Sequence, residues 1–315
     1  MQVQHHIAHA AAVLAEHQLT EPALCFALDG TGYGTDGQIW GSEVFDFDGG
    51  RFTHLGHLPP FTCPPGDSVA TDARLCLSCY LGTQPLVNRA KDAGVPLLQN
   101  SSAGRLFDAA AAALGLCDTN TYEGQCAAAV EQAARRASGA YPFDPACTPR
   151  ELLEEMQCQR ADVPALALGL HHWLARWILN QAQAYRRSTV VLSGGCFTNQ
   201  ILTRCTADLL RCNGYTVYTA CKVPPGDGAL ALGQAYISAL DGMTMCVAAP
   251  GKILSINGTT ATVAYSGNRV PANLGVVKAQ VGDWVLVHAG LVIQVLSESQ
   301  AQEINNLLAE LETLL

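Results

Sequence analysis

Residues 23–37 form the stretch ALCFALDGTGYGTDG, an apolar run that ends in an aspartate and a series of glycines. The apolar part, Ala23–Leu28, has the length of a buried strand. A second short run, Thr189–Leu192, also leads directly into glycines. Alanine-rich stretches with helical spacing lie before, between and after these runs, and this alternation predicts an α/β fold. The candidate helices are His5–His17, Arg105–Leu116, Gln125–Ser138, Leu166–Gln183 and Leu230–Ala239.

The pattern of the sequence changes after residue 242. Lys252–Ile256 and Thr260–Tyr265 alternate polar and apolar residues with period two, as half-buried strands do. A helical tail follows, and Ser299 with Gln302 fits a capping box at its start. We therefore expect two domains, 1–242 and 243–315, the second being a small antiparallel barrel closed by a helix.

Composition and charge restrict the possible classes of protein. Hydrophobic residues make up 49% of the 315 residues and charged residues 14%, which excludes a disordered or fibrous protein. The net charge of −9 gives no indication of a basic surface, so we expect no nucleic-acid partner. No apolar run approaches the roughly 18 residues of a membrane-spanning helix, and the start MQVQHHIAHA lacks a secretory signal. The 13 cysteines then indicate reduced thiols in a cytoplasmic protein without a membrane contact.

His5 and His9 are the first candidates for metal ligands. Four residues apart on a predicted helix, they project from one face and could bind one divalent cation through two imidazoles. On spacing alone, a surface helix that happens to carry histidines is the better explanation.

Two glycine turns could bind an anion through backbone N–H groups. For the turn at residues 29–37, phosphate binding and a plain β-hairpin are equally good interpretations. The turn at Gly194-Gly195 follows a strand and precedes a predicted helix, a place where nucleotides bind in α/β sheets. Cys196 beside it is better explained as a packed thiol than as a nucleophile.

Three further features have ordinary structural explanations when each is taken alone. Asp227 follows a rigid Pro-Pro-Gly turn and fits a helix N-cap. The CxxC pair at residues 76–79 has no second pair at zinc spacing, which favours helix packing over a metal or redox site. Cys246 and His288 could form a thiolate–imidazole ligand pair, but spacing alone does not favour it.

Several stretches, taken together and in order, resemble the C-terminal, Kae1-like part of HypF, the carbamoyltransferase of NiFe-hydrogenase maturation. They are VQHHIAHAAAVLAEH (3–17), ALDGTGYGTDGQIWGSE (27–43), NSSAGRLFDAAAAALGL (100–116), YEGQCAAAVE (122–131), LSGGCFTNQIL (192–202) and VPPGDGALALGQA (223–235). The resemblance implies an actin-like fold of the sugar-kinase and Hsp70 superfamily with two subdomains. It also implies that the carbamoyl group is held as carbamoyl-adenylate, a nucleotide derived from ATP.

The resemblance to HypF implies a site as well. A histidine pair and a distant aspartate hold one metal over the nucleotide in such proteins, which points here to His5, His9 and Asp227 as ligands of iron or zinc. The residues lining the nucleotide would be Asp29, Gly30, Thr31, Gly32, Tyr33, Gly34, Gly104, Asp108, Gly194, Gly195 and Asn199. The carbamoyl acceptor would be the C-terminal cysteine of a HypE-like partner, and no residue of this chain would act as a covalent nucleophile.

The sequence also departs from the HypF pattern. The first strands of the actin-like fold and the domains that make carbamoyl-adenylate have no counterpart here, so we expect another chain to supply that compound. Residues 64–73 differ from the usual Gly-Gly-Asp stretch, and Gly226 stands where asparagine is usual. Local substrate contacts at these positions are therefore in doubt.

The stretches MCVAAPGK (245–252) and GDWVLVHAGLVIQVL (282–296), with the helix after them, resemble HypC. This resemblance implies an OB-like barrel that carries an iron fragment together with a HypD-like partner. The fragment would contact Cys246 and His288, and the hydrogenase large-subunit precursor would receive it. Met245 is internal, so Cys246 has no free α-amine to offer iron.

Three functions remain open at this point. The first is a carbamoyltransferase joined to an iron-fragment chaperone. The second is a non-catalytic scaffold in which only the HypC-like tail is active. The third is a tRNA-modifying enzyme similar to TsaD, against which the HypC-like tail and the acidic charge both speak.

Overall fold

The computed structural model describes residues 3–159, 161–240, 249–265, 268–275, 277–288 and 291–312. The chain divides into two compact units, Met1–Asp241 and Gly242–Leu315. The expected domain boundary after residue 242 lies outside the described residues. Within the described part of the chain, no helix is long and apolar enough to cross a membrane.

The first unit alternates helices and strands, as the sequence predicts. Its helices are α1 (His5–Glu16), α2 (Ser68–Thr71), α3 (Ala73–Tyr80), α4 (Pro85–Asp92), α5 (Ala103–Ala113), α6 (Gln125–Ala134), α7 (Pro149–Cys158), α8 (Val163–Tyr185), α9 (Gln200–Cys212) and α10 (Leu230–Leu240). Its strands are β1 (Ala23–Tyr33), β2 (Ile39–Asp48), β3 (Arg51–His57), β4 (Phe61–Cys63), β5 (Leu98–Asn100), β6 (Thr189–Ser193) and β7 (Thr216–Thr219). The five expected helices are all present, with ends that differ by a few residues.

The seven strands form one sheet in the order β4-β5-β2-β1-β6-β7, with β3 paired to β2 off this path. Strand β1 lies in the interior, where Leu24 is opposite Asp46 of antiparallel β2 and Val190 of parallel β6. Every residue from Ala23 to Asp29 is buried. Such burial on both faces is typical of a strand covered by helices on each side.

Side chains of β1 alternate between two hydrophobic clusters. Leu24, Phe26 and Leu28 pack in the cluster that contains residues of α5 and α8. Cys25 packs in the other cluster, which contains Val13 of α1. Because strand side chains alternate with period two, α1 and α5 lie on opposite faces of the sheet, and β1 runs between them.

The second unit is a closed barrel followed by a helix. Its elements are β8 (Ala249–Asn257), β9 (Thr260–Tyr265), β10 (Asn268–Asn273), β11 (Trp284–His288), β12 (Leu291–Leu296) and α11 (Glu298–Glu312). The strand order is β10-β12-β11-β8-β9, and Ile253, Val263 and Val285 lie in its core. The expected barrel and helix are confirmed, except that the pair β10–β12 is parallel rather than antiparallel.

The capping box of α11 lies two residues before the expected position. Ser297 Oγ accepts the N–H of Gln300 at 3.2 Å, and the Gln300 side chain accepts the N–H of Ser297 at 2.9 Å. The expectation that Ser299 and Gln302 form this box was wrong, because a serine and a glutamine occur at the same spacing in both places.

Candidate metal and nucleotide site

The first turn of α1 is anchored to the end of β1 by Gln4. The Gln4 Oε1 accepts the N–H of Ile7 at 2.9 Å and so caps the helix. Its Nε2 donates to the carbonyl of Tyr33 at 3.0 Å. These bonds hold the start of α1, with His5 and His9, beside the carboxyl-terminal part of β1. There the regular pairing of β1 with β2 is interrupted.

Asp29 lies at an irregularity of β1. The pairing of β1 with β2 shifts register between Leu28 and Gly32, and such a bulge re-aims a side chain. Asp29 Oδ2 lies 3.0 Å from His5 Nε2 and 3.1 Å from His9 Nε2. Asp29 Oδ1 accepts the N–H of Gly195 at 3.2 Å. One carboxylate therefore joins α1 to the second glycine turn.

Asp227 reaches the same point from the loop before α10. Its Oδ1 lies 3.6 Å from His5 Nε2 and 3.3 Å from His9 Nε2. The side chain does not cap the short 3-10 turn, Asp227–Ala229, that leads into α10. The explanation of Asp227 as an ordinary N-cap therefore does not hold.

The geometry of the four side chains fits a divalent metal ion. One ligand atom from each of His5, His9, Asp29 and Asp227 lies within 4.8 Å of all the others, and the two imidazole Nε2 atoms are 3.2 Å apart. Two imidazole nitrogens and two carboxylate oxygens are a donor set that iron and zinc both accept. The cluster contains the three ligands expected from the resemblance and adds Asp29, which the sequence analysis assigned to the nucleotide.

Asp29 keeps its negative charge at this site. Burial disfavours the charged form, but the hydrogen bonds to His5 and His9 outweigh burial and hold the pKa of the Asp29 carboxyl well below its usual range. The same hydrogen bond to Asp29 outweighs desolvation at His5 and raises the pKa of that imidazole. A fixed carboxylate charge of this kind attracts a cation.

A cavity of about 360 Å³ adjoins the cluster and is lined by Asp29 and Asp227 themselves. Its volume lies within the range of sites for small molecules. Phe107, Ala127 and Ala128 give it an apolar wall. Six of the expected nucleotide residues line it: Asp29, Gly30, Gly104, Asp108, Gly195 and Asn199.

The rest of the first glycine stretch forms a β-hairpin. Strand β1 continues past Asp29 and pairs with β2, with Tyr33 opposite Ile39. Thr31, Gly32, Tyr33 and Gly34 do not line the cavity. The hairpin interpretation is confirmed, and a contact of these four residues with a nucleotide stays a prediction.

Gly194 supports the loop that carries Asp227. Its φ is +95°, and a Cβ there would lie 2.3 Å from the carbonyl oxygen of Leu28, so a glycine is required. Its N–H donates to the carbonyl of Pro225 at 3.1 Å, and the residue does not line the cavity. A 3-10 turn, Gly195–Thr198, separates this glycine from α9, where the sequence analysis expected the helix to begin directly.

Asn199 has two partners inside the protein. Its Oδ1 accepts the N–H of Leu202 and caps α9, and its Nδ2 donates to Nε2 of the buried His171 at 2.8 Å. His171 was not predicted from the sequence, because it stands in a long helix among apolar residues and has no spacing signal of its own.

The cysteines of the described residues are free thiols. Burial raises the pKa of Cys196 far above its usual value. Burial likewise raises the pKa of Cys79 to about 12 and that of Cys76 well above its usual value, which agrees with packed thiols rather than with reactive or metal-binding ones. Cys246 lies outside the described residues, and His288 is placed only as the last residue of β11.

The fold and the site define a class of protein, the carbamoyltransferases with a Kae1-like domain. Residues 25–234 match the family model described as the second subdomain of the Kae1-like domain of carbamoyltransferase, and residues 245–308 match the HupF/HypC family. The chain belongs to the HypF carbamoyltransferase family and carries a HypC-family module after the Kae1-like region. Both resemblances found in the sequence are thereby confirmed.

Several known proteins are similar to this chain. It is 36% identical over 292 residues to carbamoyltransferase HypF2 of Cupriavidus necator, a match that covers 75% of this chain and 36% of the relative. A HypF homolog of the same organism is 34% identical over 276 residues, covering 75% of this chain and 70% of that relative. The maturation factor HypC of Escherichia coli K12 is 35% identical over 66 residues, which are 19% of this chain and 73% of HypC.

A crystal structure of full-length HypF in a phosphate- and nucleotide-bound form has the same fold. It matches with a TM-score of 0.67 and 28% identity, covering 77% of this chain and 36% of that protein. The chain therefore spans about a third of the length of the full HypF proteins that it matches.

Proposed function

We propose that the first unit binds carbamoyl-adenylate and transfers its carbamoyl group to the C-terminal cysteine of a HypE-like partner during NiFe-hydrogenase maturation. The observation that supports this most directly is the four-ligand cluster beside the cavity, in a chain of the HypF family. The related HypF crystal structure in a phosphate- and nucleotide-bound form supports a nucleotide in this cavity.

The transfer needs no nucleophile from this chain. The thiol of the partner's cysteine first loses its proton to solvent. The thiolate then attacks the carbamoyl carbon, so that a C–S bond forms, the C–O bond to phosphate breaks, and AMP leaves. Cys196 stays a protonated, packed thiol because burial raises its pKa. His5, His9, Asp29 and Asp227 would hold the cation, iron or zinc, which supplies Lewis-acid stabilisation of charge on a carbamoyl or phosphate oxygen.

Contacts within the protein hold the four candidate ligands close together before a cation binds. Before the cation binds, Asp29 Oδ2 lies within hydrogen-bond distance of both imidazole Nε2 atoms, while the Gly195 N–H fixes its other oxygen. The Nε2 protons would leave when these nitrogens coordinate the cation. Such fixed orientation before binding lowers the reorganisation that a reaction requires.

For the second unit, we propose that it carries an iron fragment with a HypD-like partner and delivers it to the hydrogenase large-subunit precursor. Its identity with HypC over 66 residues supports this role. Cys246 and His288 would be the contacts.

A single-turnover assay tests the transferase. The anaerobic, metal-loaded full chain receives preformed carbamoyl-adenylate and a HypE-like protein that ends in cysteine, and intact mass reports the product. We expect one carbamoyl group on the acceptor, lost in H9A and D29N but kept in C196A and in the control H57A, whose histidine is exposed on β3.

Failure of the assay would favour the alternative function. If folded, metal-loaded protein transfers nothing, the first unit is a scaffold and the activity lies in the HypC-like unit. The complementary variant C246S, tested for copurified iron and a HypD-like partner, then decides whether that unit is a metallochaperone.

A further inference from the structure

The N-terminus of α5 packs closely against the backbone at Asp29 and Gly30. Ser102 caps the helix by accepting the N–H of Arg105 at 3.2 Å, and its hydroxyl contacts the carbonyl of Asp29 at 3.1 Å. A Cβ on Gly104 would lie 2.7 Å from Gly30 Cα. The glycine at 104 thus lets the helix approach, and the next residue, Arg105, lines the same cavity as Asp29 and Asp227.

The Arg105 side chain is held close to Gly30. Its Nη2 lies 3.0 Å from Asp108 Oδ2, and the two side chains are only 9% and 1% exposed. The same Nη2 would be 3.7 Å from a Cβ on Gly30. Its buried Nε has no hydrogen-bond partner among the described residues. A guanidinium has five donors, and this one uses few of them within the protein.

The charges around the cavity require a cation to hold an anionic ligand. Among the described residues that line it, Arg105 is the one lysine or arginine. Five carboxylate side chains line it as well: Asp29, Asp108, Glu123, Glu131 and Asp227. Uncompensated, these carboxylates would repel a phosphate.

Asp108 is the partner that holds Arg105 in place. Its Oδ1 accepts from Asn120 Nδ2 at 3.1 Å, and its Oδ2 forms an ion pair with Arg105 Nη2 at 3.0 Å that lacks hydrogen-bond geometry. The fully buried carboxylate has little surface to offer a ligand, whereas the guanidinium stands between Asp108 and the backbone at Gly30.

We propose that Arg105 binds the phosphate group of a nucleotide in the cavity, with Asp108 as the residue that positions the guanidinium. This inference rests on the proposed nucleotide-binding function and assigns a role to a residue outside the expected set. The planar donors of arginine match phosphate oxygens and form charge-assisted hydrogen bonds with them. The cation at the His5 cluster and Arg105 would then neutralise the phosphate from two sides.

Binding of AMP and of adenosine to the metal-loaded full chain, measured by equilibrium dialysis, tests the proposal. Because AMP differs from adenosine by its phosphate alone, we expect R105M to weaken AMP binding about 10- to 100-fold and to leave adenosine within about twofold. R105K keeps the charge without the planar fork, so its loss should be smaller.

D108N separates this role from a structural one. Asparagine keeps an oxygen beside Arg105 and so part of the positioning, while it removes a negative charge that repels phosphate, so AMP affinity should fall much less than in R105M. Equal losses of AMP and adenosine in R105M, unchanged AMP binding in R105M, or an AMP loss in D108N as large as in R105M would each overturn the proposal. If R105M does not fold, R105K and D108N still decide.

The two proposals can fail separately. Normal carbamoyl transfer by the wild-type chain, together with Arg105-independent AMP binding, would refute only the role of Arg105. Arg105-dependent AMP binding without carbamoyl transfer would refute only the transferase.

Discussion

His171 and His6 are buried imidazoles whose titration links stability to pH. Burial lowers the pKa of each to about 4, from 6.5 in an unfolded chain. The unfolded state therefore binds more protons between pH 6.5 and 4. Above pH 6.5 both imidazoles are neutral in either state, and the folded protein has its full stability. We expect the free energy of unfolding to fall toward pH 4 by up to about 3 kcal/mol per histidine. Urea unfolding at pH 7.0, 5.5 and 4.5 measures this fall.

The variant H171Q isolates the contribution of one imidazole. In the folded protein Nδ1 of His171 bonds the Ala167 carbonyl at 2.7 Å, and Nε2 accepts from Asn199. Glutamine can donate and accept but does not titrate, so the pH dependence should shrink by about one histidine's share. H57Q, at an exposed histidine, should keep the wild-type slope. An H171Q slope equal to that of the wild type would show that His171 is not the titrating group.

Some residues of the four-residue cluster could be predicted from the sequence and others could not. On the i, i+4 spacing of His5 and His9 alone, a surface helix was the better explanation, and the resemblance was needed to favour a shared metal ion; in the structure both imidazoles converge. Asp227 came only from the resemblance, because a residue more than 200 positions away leaves no local pattern. The ligand geometry of Asp29 depends on a bulge in β1, and a bulge cannot be located from an apolar run that continues smoothly into glycines.

At the scale of elements, the loop from β7 to α10 is fixed at both ends. Glu16, the last residue of α1, accepts the backbone N–H of Cys221 at 3.1 Å and that of Lys222. At the other end, the Pro225 carbonyl accepts the N–H of Gly194. Because α1 also carries both histidines of the four-residue cluster, Glu16 ties the loop, and with it Asp227, to the helix that presents them.

We expect E16A to weaken Co²⁺ binding about tenfold, as loss of a residue that supports a metal ligand commonly does. Isothermal titration of the full chain measures the affinity. Because Glu16 acts through Asp227, E16A should cause no further loss in a D227N background. E21A, at an exposed glutamate before β1, serves as the matched control. Additive losses in the double variant would show a general structural role for Glu16 instead.

Helices α1 and α10 are in close contact at Gly233. A Cβ there would lie 1.9 Å from the Ala8 carbonyl oxygen, so G233A must push the helices apart. We expect a destabilisation of about 1–3 kcal/mol, measured by urea unfolding, with weaker metal binding because α1 shifts. G139A is the control, since no atom of the described residues lies within 4 Å of a Cβ at that position. Equal effects of the two variants would contradict the close packing.

Helices and strands with a clear apolar pattern could be predicted from the sequence, and those with a weak one could not. Strands β1 and β6 stood out as short apolar runs before glycines, and α8 as a long apolar helix. Helix α7 was missed, although Thr148 and Glu151 form a capping box at its start. That box lies in a polar stretch after several turns, where apolar spacing gives little support. The parallel closing pair of the barrel depends on contacts far apart in the chain, which local alternation does not encode.

At the scale of the whole molecule, each unit has a core of its own. The first unit buries two clusters, one on each face of its sheet. The second buries the inward side chains of its barrel, among them Ile253 and Val285. Since apolar burial is the main favourable contribution to folding, each unit has the means to fold by itself.

We therefore expect two unfolding transitions in calorimetry, and we expect zinc to raise only one of them. All four cluster ligands belong to the first unit, so binding stabilises that unit by about 2.7 kcal/mol at a free concentration of 100 Kd. The experiment uses C246S, which removes the thiolate proposed to contact iron in the second unit, and a separate chain of residues 243–315 to assign the other transition. H9A should abolish the zinc shift. One transition that moves as a whole with zinc would show that the units unfold together.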